Sequence, residues 1–175
     1  MAYGFPILVL ALLLTFPACS HPQETKGKEM TLKLPFVPAA KECYSQLKQC
    51  NKVYRDGFEE MRNLAGGSDP FADRLKRVYG VLERTGAEGS AQPSSHTWSE
   101  EDVFMCCVFD LTRALFDSEK NAVLNGKLAV EEKRERLQDL VKLLENLQIG
   151  GPKWNQIIMP EIKTKLEEAA RNLGG

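Results

Sequence analysis

The chain has 175 residues with 23 basic and 24 acidic side chains, so its formal net charge at pH 7 is −1. This balance argues against nucleic-acid binding, which needs an excess of Lys and Arg on one face to displace counterions. It also argues against a membrane-lytic peptide, because such helices favour a strongly cationic face. No Asn-x-Ser/Thr triplet occurs, so an asparagine-linked glycan is not expected.

The N-terminus carries an apolar run from Phe5 to Phe16 that is too short to span a bilayer comfortably. Small residues follow at Ala18 and Ser20, as before a signal-peptide cleavage site, although the usual basic residue near the start is missing. We therefore predict a signal peptide over residues 1–20, and a retained membrane anchor is the competing interpretation. No second apolar run has spanning length, so the mature protein is predicted to be secreted and extracellular, without stable membrane insertion.

Residues 21–38 are polar at first and then punctuated by prolines, which predicts an extended lead-in without a core of its own. Residues 39–175 are predicted to form one helical bundle domain, because apolar residues recur there at helical spacing. The roughly 155 residues that remain after cleavage are enough for one domain that buries about two-thirds of its unfolded surface.

The first predicted helix has apolar residues in steps of four and three, and this heptad-like seam is closed by Gly66-Gly67. Its members are Cys43, Leu47, Cys50, Tyr54, Gly57, Met61 and Leu64. The second predicted helix starts with Asp69 as its cap and Pro70 at the first helical position. Residues 85–97 are small and polar, and they are predicted to form the one long loop of the domain.

The third predicted helix begins with local signals that agree. Ser99 and Asp102 form a capping-box pattern, while Trp98 and Val103 occupy the two positions of a hydrophobic staple. The stretch that follows, "VFMCCVFDLTRALF", is apolar on nearly every side, which predicts the central helix of the bundle. An Asn-Gly pair at residues 125–126 is predicted to end it.

The fourth predicted helix runs roughly from Ala129 to Leu147, with the helix-supporting pair Glu132 and Arg136 on its outer face. Pro160 is predicted to divide the last segment into a short lead and a final helix. The sequence therefore predicts an all-α fold, a helical bundle of four to five amphipathic helices stapled by one or two inter-helix disulfides. The residues predicted to face inward on the last two helices are Leu137, Leu140, Val141, Leu144, Ile162, Leu166, Ala169 and Leu173.

Cys19 leaves with the predicted signal peptide, and four cysteines remain: Cys43, Cys50, Cys106 and Cys107. An even count in a small secreted domain favours disulfides. Cys43 and Cys50 are separated by about 10 Å of helix rise, which exceeds the Cα separation of a disulfide. A Cys106–Cys107 bridge would distort its own helix. We therefore predict one or two bridges between the first and third predicted helices, with Cys50 the surer participant.

Three other roles for the cysteines are a zinc site, a nucleophilic cysteine and a buried free thiol. Neither a CxxC spacing nor a nearby set of histidines supplies four zinc ligands. An apolar surround raises the pKa of a thiol and hides its sulfur, which disfavours a nucleophile. A buried free thiol remains open beside the disulfides, each of which is expected to contribute roughly 2–4 kcal/mol.

Histidine is scarce, with only His21 and His96 available for general acid–base chemistry. The acidic residues that follow His96 are explained by helix capping without catalysis. No GxSxG, HExxH, phosphate-binding glycine loop or EF-hand loop occurs. The sequence predicts no enzyme, no catalytic residue, no cofactor and no metal site.

A leader, amphipathic helices from Ala39 to Leu173 and inter-helix cysteines together resemble the secreted helical cytokines, including interferon-like and interleukin-like proteins. The resemblance concerns the class and rests on no diagnostic motif, so no receptor-contact residue is transferred. It implies an extracellular signalling ligand whose partner is a cell-surface receptor. The short connections "GGS", "NG" and "GGP" favour an up-and-down bundle at least as much as the long crossovers of the larger cytokines.

The alternative is an extracellular carrier that opens its bundle around a lipid or another small apolar ligand. Phe104, Met105, Phe109 and Phe116 are the residues predicted to line such a cavity, although aromatic residues at these positions ordinarily serve as packing. Lipid found bound to the purified protein would favour the carrier, whereas saturable binding to intact cells would favour the signalling ligand.

Overall fold

The structure, a computed structural model, describes residues 40–92, 96 and 98–174, with side chains from Cys43 onward. The predicted signal peptide (1–20) and lead-in (21–38) lie outside the described residues. The described part is all-α and contains no strand. Its elements are α1 (Ala40–Leu47), α2 (Lys52–Ala65), α3 (Phe71–Ser90), α4 (Glu100–Asn125), α5 (Val130–Glu145), a π-helical turn (Trp154–Ile158) and α6 (Met159–Asn172).

The predicted all-α bundle with a disulfide between helices is confirmed, but the described chain has six α-helices rather than four or five. The extra helix arises because the first predicted helix is broken between Leu47 and Lys52. At the break, the side chain of Asn51 caps α2 by accepting a hydrogen bond from Tyr54 N at 3.2 Å. Asn is favoured at the N-cap because its short side chain can accept a hydrogen bond from a backbone N–H in the first turn of the helix.

The connection into α3 and the end of α3 also differ from the prediction. Pro70, not Asp69, is the residue that caps α3, and no side chain hydrogen-bonds there; the carboxylate of Asp69 contacts Arg77 instead. The helix then continues to Ser90, so residues 85–90 of the predicted loop are helical. Thr85 and Gly89 in this last part are buried, and their packing against α2 holds the helix together where the composition suggests a loop.

Gly86 gives a direct test of this helical extension. Nothing lies within 4 Å of a Cβ added there, so the variant Gly86→Ala introduces no overlap. We expect Gly86→Ala to raise the free energy of unfolding by up to about 1 kcal/mol, because Ala in a helix loses less backbone entropy than Gly. Urea denaturation followed by circular dichroism measures the change, and a destabilised variant would contradict a helix at residue 86.

The helix α4 is the central element, as predicted, and it packs against α1, α2, α3, α5 and α6. Its predicted start is confirmed, since Ser99 Oγ accepts a hydrogen bond from Asp102 N at 3.2 Å. It ends at Asn125 with Gly126 as the C-cap. The buried hydroxyl of Thr112 is satisfied twice, by Val108 O at 2.8 Å and by Tyr79 Oη at 2.9 Å.

In the last third of the chain, α5 and α6 pack against each other in antiparallel directions. The predicted inward residues Leu137, Leu140, Leu144, Ile162 and Leu166 are buried, while Val141, Ala169 and Leu173 are half-buried. The guanidinium of Arg113 on α4 donates to Glu161 Oε2 from both Nε (3.0 Å) and Nη2 (2.8 Å), which ties α6 to the central helix.

The predicted division at Pro160 takes the form of a π-helical turn rather than a break. Met159 N donates to Trp154 O, five residues back, and helical structure continues directly into α6. Pro160 suits this place because it has no N–H to offer to the preceding turn. Among the residues that the structure describes, no helix is both long and apolar enough to cross a bilayer.

Candidate functional site

The predicted cysteine centre lies where α1 meets α4. Cys43 and Cys106 form a disulfide with a Cα–Cα distance of 6.1 Å, and both residues are buried. Beyond the C-terminal end of α1, Asn51 N donates to Glu100 Oε2 at 2.7 Å, and Glu100 precedes Cys106 on α4. The two helices therefore run antiparallel.

One bridge forms among the described cysteines, and it joins Cys43 to Cys106. Cys50, which precedes Asn51, lies close both to Glu100 and to Cys107. Cys50 and Cys107 are free and buried, so the prediction that Cys50 is the surer disulfide partner is wrong. The thiol of Cys50 instead lies 3.6 Å from Gln46 O, one turn earlier in its own chain.

Both free thiols are in surroundings that suppress reactivity. Burial, reinforced by the carboxylate of Glu100, raises the pKa of Cys50 to about 11. Burial, reinforced by the nearby Cys50, raises the pKa of Cys107 to about 12. Since the thiolate is the reactive form, neither cysteine is suited to nucleophilic chemistry at neutral pH. Among the described residues, no group of three or more His, Cys, Asp or Glu side chains could hold a metal ion.

These pKa values predict slow chemical modification of the native protein. We expect iodoacetamide at pH 7.5 to label neither Cys50 nor Cys107 at an appreciable rate in the folded protein, because the thiolate fraction is small and the sulfurs are buried. After unfolding in guanidinium without reductant, both should be labelled, and Cys43 and Cys106 should not. Peptide mass spectrometry measures the four sites separately; rapid native labelling of either thiol would contradict the structure.

A buried carboxylate beside the cysteines fixes the α1–α2 break to the central helix. Glu100 is only 4% exposed, and besides Asn51 N it lies 3.9 Å from His96 Nε2. His96 Nε2 is 3.0 Å from Gln49 O, and its ring stacks on Trp98 with centroids 4.4 Å apart. The sequence indicated only a capping role for this acidic cluster, because the partner at Asn51 is 49 residues away.

The tie between Glu100 and Asn51 can be measured by substitution. We expect Glu100→Ala to lower the free energy of unfolding by about 1–2 kcal/mol, because a half-buried backbone N–H loses a charged acceptor. Glu100→Gln should restore part of the loss, since an amide oxygen can still accept. Glu101→Ala, an exposed neighbour on the same turn, is the matched control and should change little. Equal effects at residues 100 and 101 would contradict this role.

Three of the four residues predicted to line a ligand cavity, the phenylalanines, are packed in the core. The three phenylalanines are buried against different rings: Phe104 against Tyr54 (5.0 Å between centroids), Phe116 against Phe71 (5.2 Å) and Phe109 against Trp154 (6.2 Å). Met105 is half-buried and faces a surface hollow of about 470 Å³ between α3, α4 and the segment after α5. The lining of that hollow includes Tyr79, Leu82, Met105, Leu147 and Ile149, and none of the three phenylalanines.

A second concave surface lies between α5 and α6, with a volume of about 510 Å³. Its floor is apolar and its edges are charged, and the sequence analysis assigned no role to it. No local sequence signal reveals it, because the helical pattern places Val141 inward, whereas the structure leaves it half-buried. The residues that line this α5–α6 groove are Arg134, Leu137, Gln138, Val141, Lys142, Leu166, Glu167, Ala170 and Arg171.

Comparisons with known proteins give no family for this chain. No protein-family model, no curated protein and no solved structure matches it. The arguments for function therefore come from the chain's own chemistry: an oxidised cysteine pair, two protonated buried thiols and apolar concave surfaces such as the hollow at Met105 and the α5–α6 groove.

Proposed function

We propose that the protein is a secreted, cytokine-like signalling ligand that binds a cell-surface receptor. The observation that carries the proposal is the Cys43–Cys106 disulfide within the core of an all-α bundle. Structural disulfides form and persist mainly in oxidising compartments such as the extracellular space. The bridge agrees with the signal peptide predicted for residues 1–20.

The packing of the bundle favours recognition at the outer surface. The core contains aromatic pairs, among them Phe104 with Tyr54 and Phe116 with Phe71, and its buried side chains form one cluster across the helices. No buried side-chain nitrogen or oxygen among the described residues lacks a hydrogen-bond partner. A bundle of this kind is suited to presenting fixed surfaces to another protein.

Expression of the full chain in secreting cells tests the proposal in two steps. N-terminal analysis of protein from the medium should find a chain that begins after Ser20. The purified protein, labelled with a fluorophore, should then bind intact cells saturably, should be displaced by excess unlabelled protein, and should crosslink to a discrete membrane protein. Retention inside the cell, or binding that does not saturate on any cell type of a broad panel, would overturn the proposal.

The carrier remains the second candidate because Met105, predicted as a cavity residue, lines the hollow with Leu82 and Ile149. This hollow is of a size that holds part of an acyl chain or a small apolar ligand. Native mass spectrometry of the secreted protein should show co-purified lipid if the carrier hypothesis holds. Met105→Trp should then abolish the lipid adduct, whereas Lys120→Trp, at a site away from the hollow, should leave it intact.

A further inference from the structure

The α5–α6 groove has the geometry of a helix-binding surface. The two helices are antiparallel: Lys163 pairs with Glu145 at one end, and Arg134 lies beside Gly174 at the other. Between them, Leu137 and Leu166 form the almost fully buried base of the groove, and the half-buried Val141 and Ala170 supply its accessible apolar surface. From Arg134 to Lys142 the groove follows eight residues of α5, which is about 12 Å or two helical turns.

The apolar floor extends beyond the groove at the start of α5. Val130 is 45% exposed, and no other large hydrophobic side chain among the described residues is exposed. It precedes Leu137 by seven residues and Val141 by eleven, spacings that place all three on one face of α5. Exposed Val130 therefore extends the apolar strip by about one turn beyond the start of the groove at Arg134, and a partner that covered it would remove it from water.

The charges at the groove favour an anionic partner. Three cations line it, Arg134, Lys142 and Arg171, against one carboxylate, Glu167, which lies 3.8 Å from Lys163 Nζ. Arg134 and Lys142 form pairs with Glu131 and Asp139 on their own helix, and these pairs are exposed. Exposed pairs are worth only about 0–1 kcal/mol, so a partner's carboxylates can replace them at small cost.

We propose that the α5–α6 groove, with Val130, binds an acidic amphipathic helix of a partner protein. The apolar face of that helix would carry side chains at heptad spacing over the floor, and its flanking Asp and Glu residues would meet Arg134, Lys142 and Arg171. This is the helix-in-groove mode, in which apolar anchors give affinity and the charged rim selects the partner. The inference rests on the proposed function and assigns this groove as its receptor-contact surface.

The direct test uses synthetic peptides, because the receptor is not identified. An 18-residue helical peptide with leucines at heptad spacing and flanking glutamates is the probe, and the same peptide with lysines in place of the glutamates is its control. We expect the glutamate peptide to bind the full chain saturably, measured by fluorescence anisotropy, and to bind more weakly at high salt. The lysine peptide should not bind. Equal binding of the two peptides would overturn the proposal.

Two charge variants and one steric variant locate the binding site. Arg134→Glu with Arg171→Glu should weaken binding of the glutamate peptide by about tenfold or more, because attraction at the rim becomes repulsion. Arg77→Glu with Arg84→Glu, which makes the same change of charge at exposed positions of α3, should have little effect. Ala170→Phe should also block the peptide, because it fills the floor without changing charge. Circular dichroism verifies that each variant is folded, and equal weakening by both charge variants would overturn the proposal.

The same variants separate this inference from the proposed function. Cell binding that is unchanged in Arg134→Glu with Arg171→Glu would overturn the groove as the receptor-contact surface while the signalling function stands. Loss of cell binding in this variant but not in the α3 variant would support it. If the wild-type protein binds no cell but binds the glutamate peptide in the groove, the helix-binding site stands and the signalling function fails.

Discussion

Replacing both Cys43 and Cys106 by serine is expected to lower the free energy of unfolding by about 4 kcal/mol, because the bridge closes a chain of 63 residues in the unfolded state. Without the bridge, the unfolded chain has conformational entropy that the oxidised unfolded chain lacks, so unfolding becomes more favourable. A small domain is stabilised by about 5–15 kcal/mol in total, so the bridge is expected to supply a large share of the stability. Urea denaturation followed by circular dichroism at 222 nm measures the difference between the two proteins.

Cys50 and Cys107 provide the matched control for this substitution. Cys50→Ala with Cys107→Ala removes two buried sulfur atoms but opens no covalent loop, so its effect should be much smaller. This control variant should also lose about 4 kcal/mol when a strong reductant is added, as the wild type does. A wild-type unfolding midpoint that does not respond to reductant would contradict a structural bridge between Cys43 and Cys106.

The variant Gly57→Ala is expected to destabilise the protein by about 3 kcal/mol, at the upper end of the usual range for overpacking. A Cβ at Gly57 would overlap the Oγ1 and Cγ2 atoms of Thr85 on α3. Thr85 is buried and β-branched, so it has no free rotamer into which to move. Only a shift of α2 away from α3 relieves the overlap, and that shift would disturb the contact between Gly89 and the ring of Tyr54 as well.

A second substitution at the contact distinguishes overlap from other causes. Gly57→Ala combined with Thr85→Ala should be more stable than the sum of the two single effects predicts, because the second change removes the atoms that the new methyl meets. Gly80→Ala is the control, since a Cβ there has nothing within 4 Å, and it should be stabilising by up to about 1 kcal/mol. Additive effects of Gly57→Ala and Thr85→Ala would contradict the steric explanation.

The sequence alone predicts those helices whose ends and buried faces are set by neighbouring residues. The start of α4 at Ser99, its end before Gly126 and the apolar face of α5 all follow from caps and periodicity within a few residues. The central position of α4 follows from a surface that is apolar on nearly every side. In these places the tertiary contacts agree with the intrinsic preferences of the chain.

Contacts between distant residues account for the differences. The apolar seam continues through Cys50 without interruption, and the break there depends on Asn51 N and its acceptor Glu100. Residues 85–90 are small and resemble a loop, but Gly89 is small because the ring of Tyr54 lies against it. Composition does not distinguish a glycine that frees the backbone from a glycine that lets two helices approach.

The cysteine pairing and the α5–α6 groove depend on the relative register of helices. Periodicity shows that Cys43 and Cys50 share a buried face, but it does not show which of them is level with Cys106. The groove likewise depends on how far α5 and α6 separate above Leu137 and Leu166, a distance that neither helix encodes alone. Amphipathic patterns specify which face turns inward and leave the spacing between helices to packing.

The π-helical turn before Pro160 allows a strict four-residue repeat to stay buried. Trp154, Ile158, Ile162 and Leu166 all lie in the core, although positions four apart in a regular α-helix drift by about 40° at each step. The wider turn at Trp154–Ile158 rotates the chain less per residue and cancels part of that drift. A variant with one residue deleted from this turn would form a regular helix, and Trp154 would rotate by about 100° toward solvent. Insertion or deletion of a residue within 154–158 should therefore disturb the core more than the same change in the segments on either side.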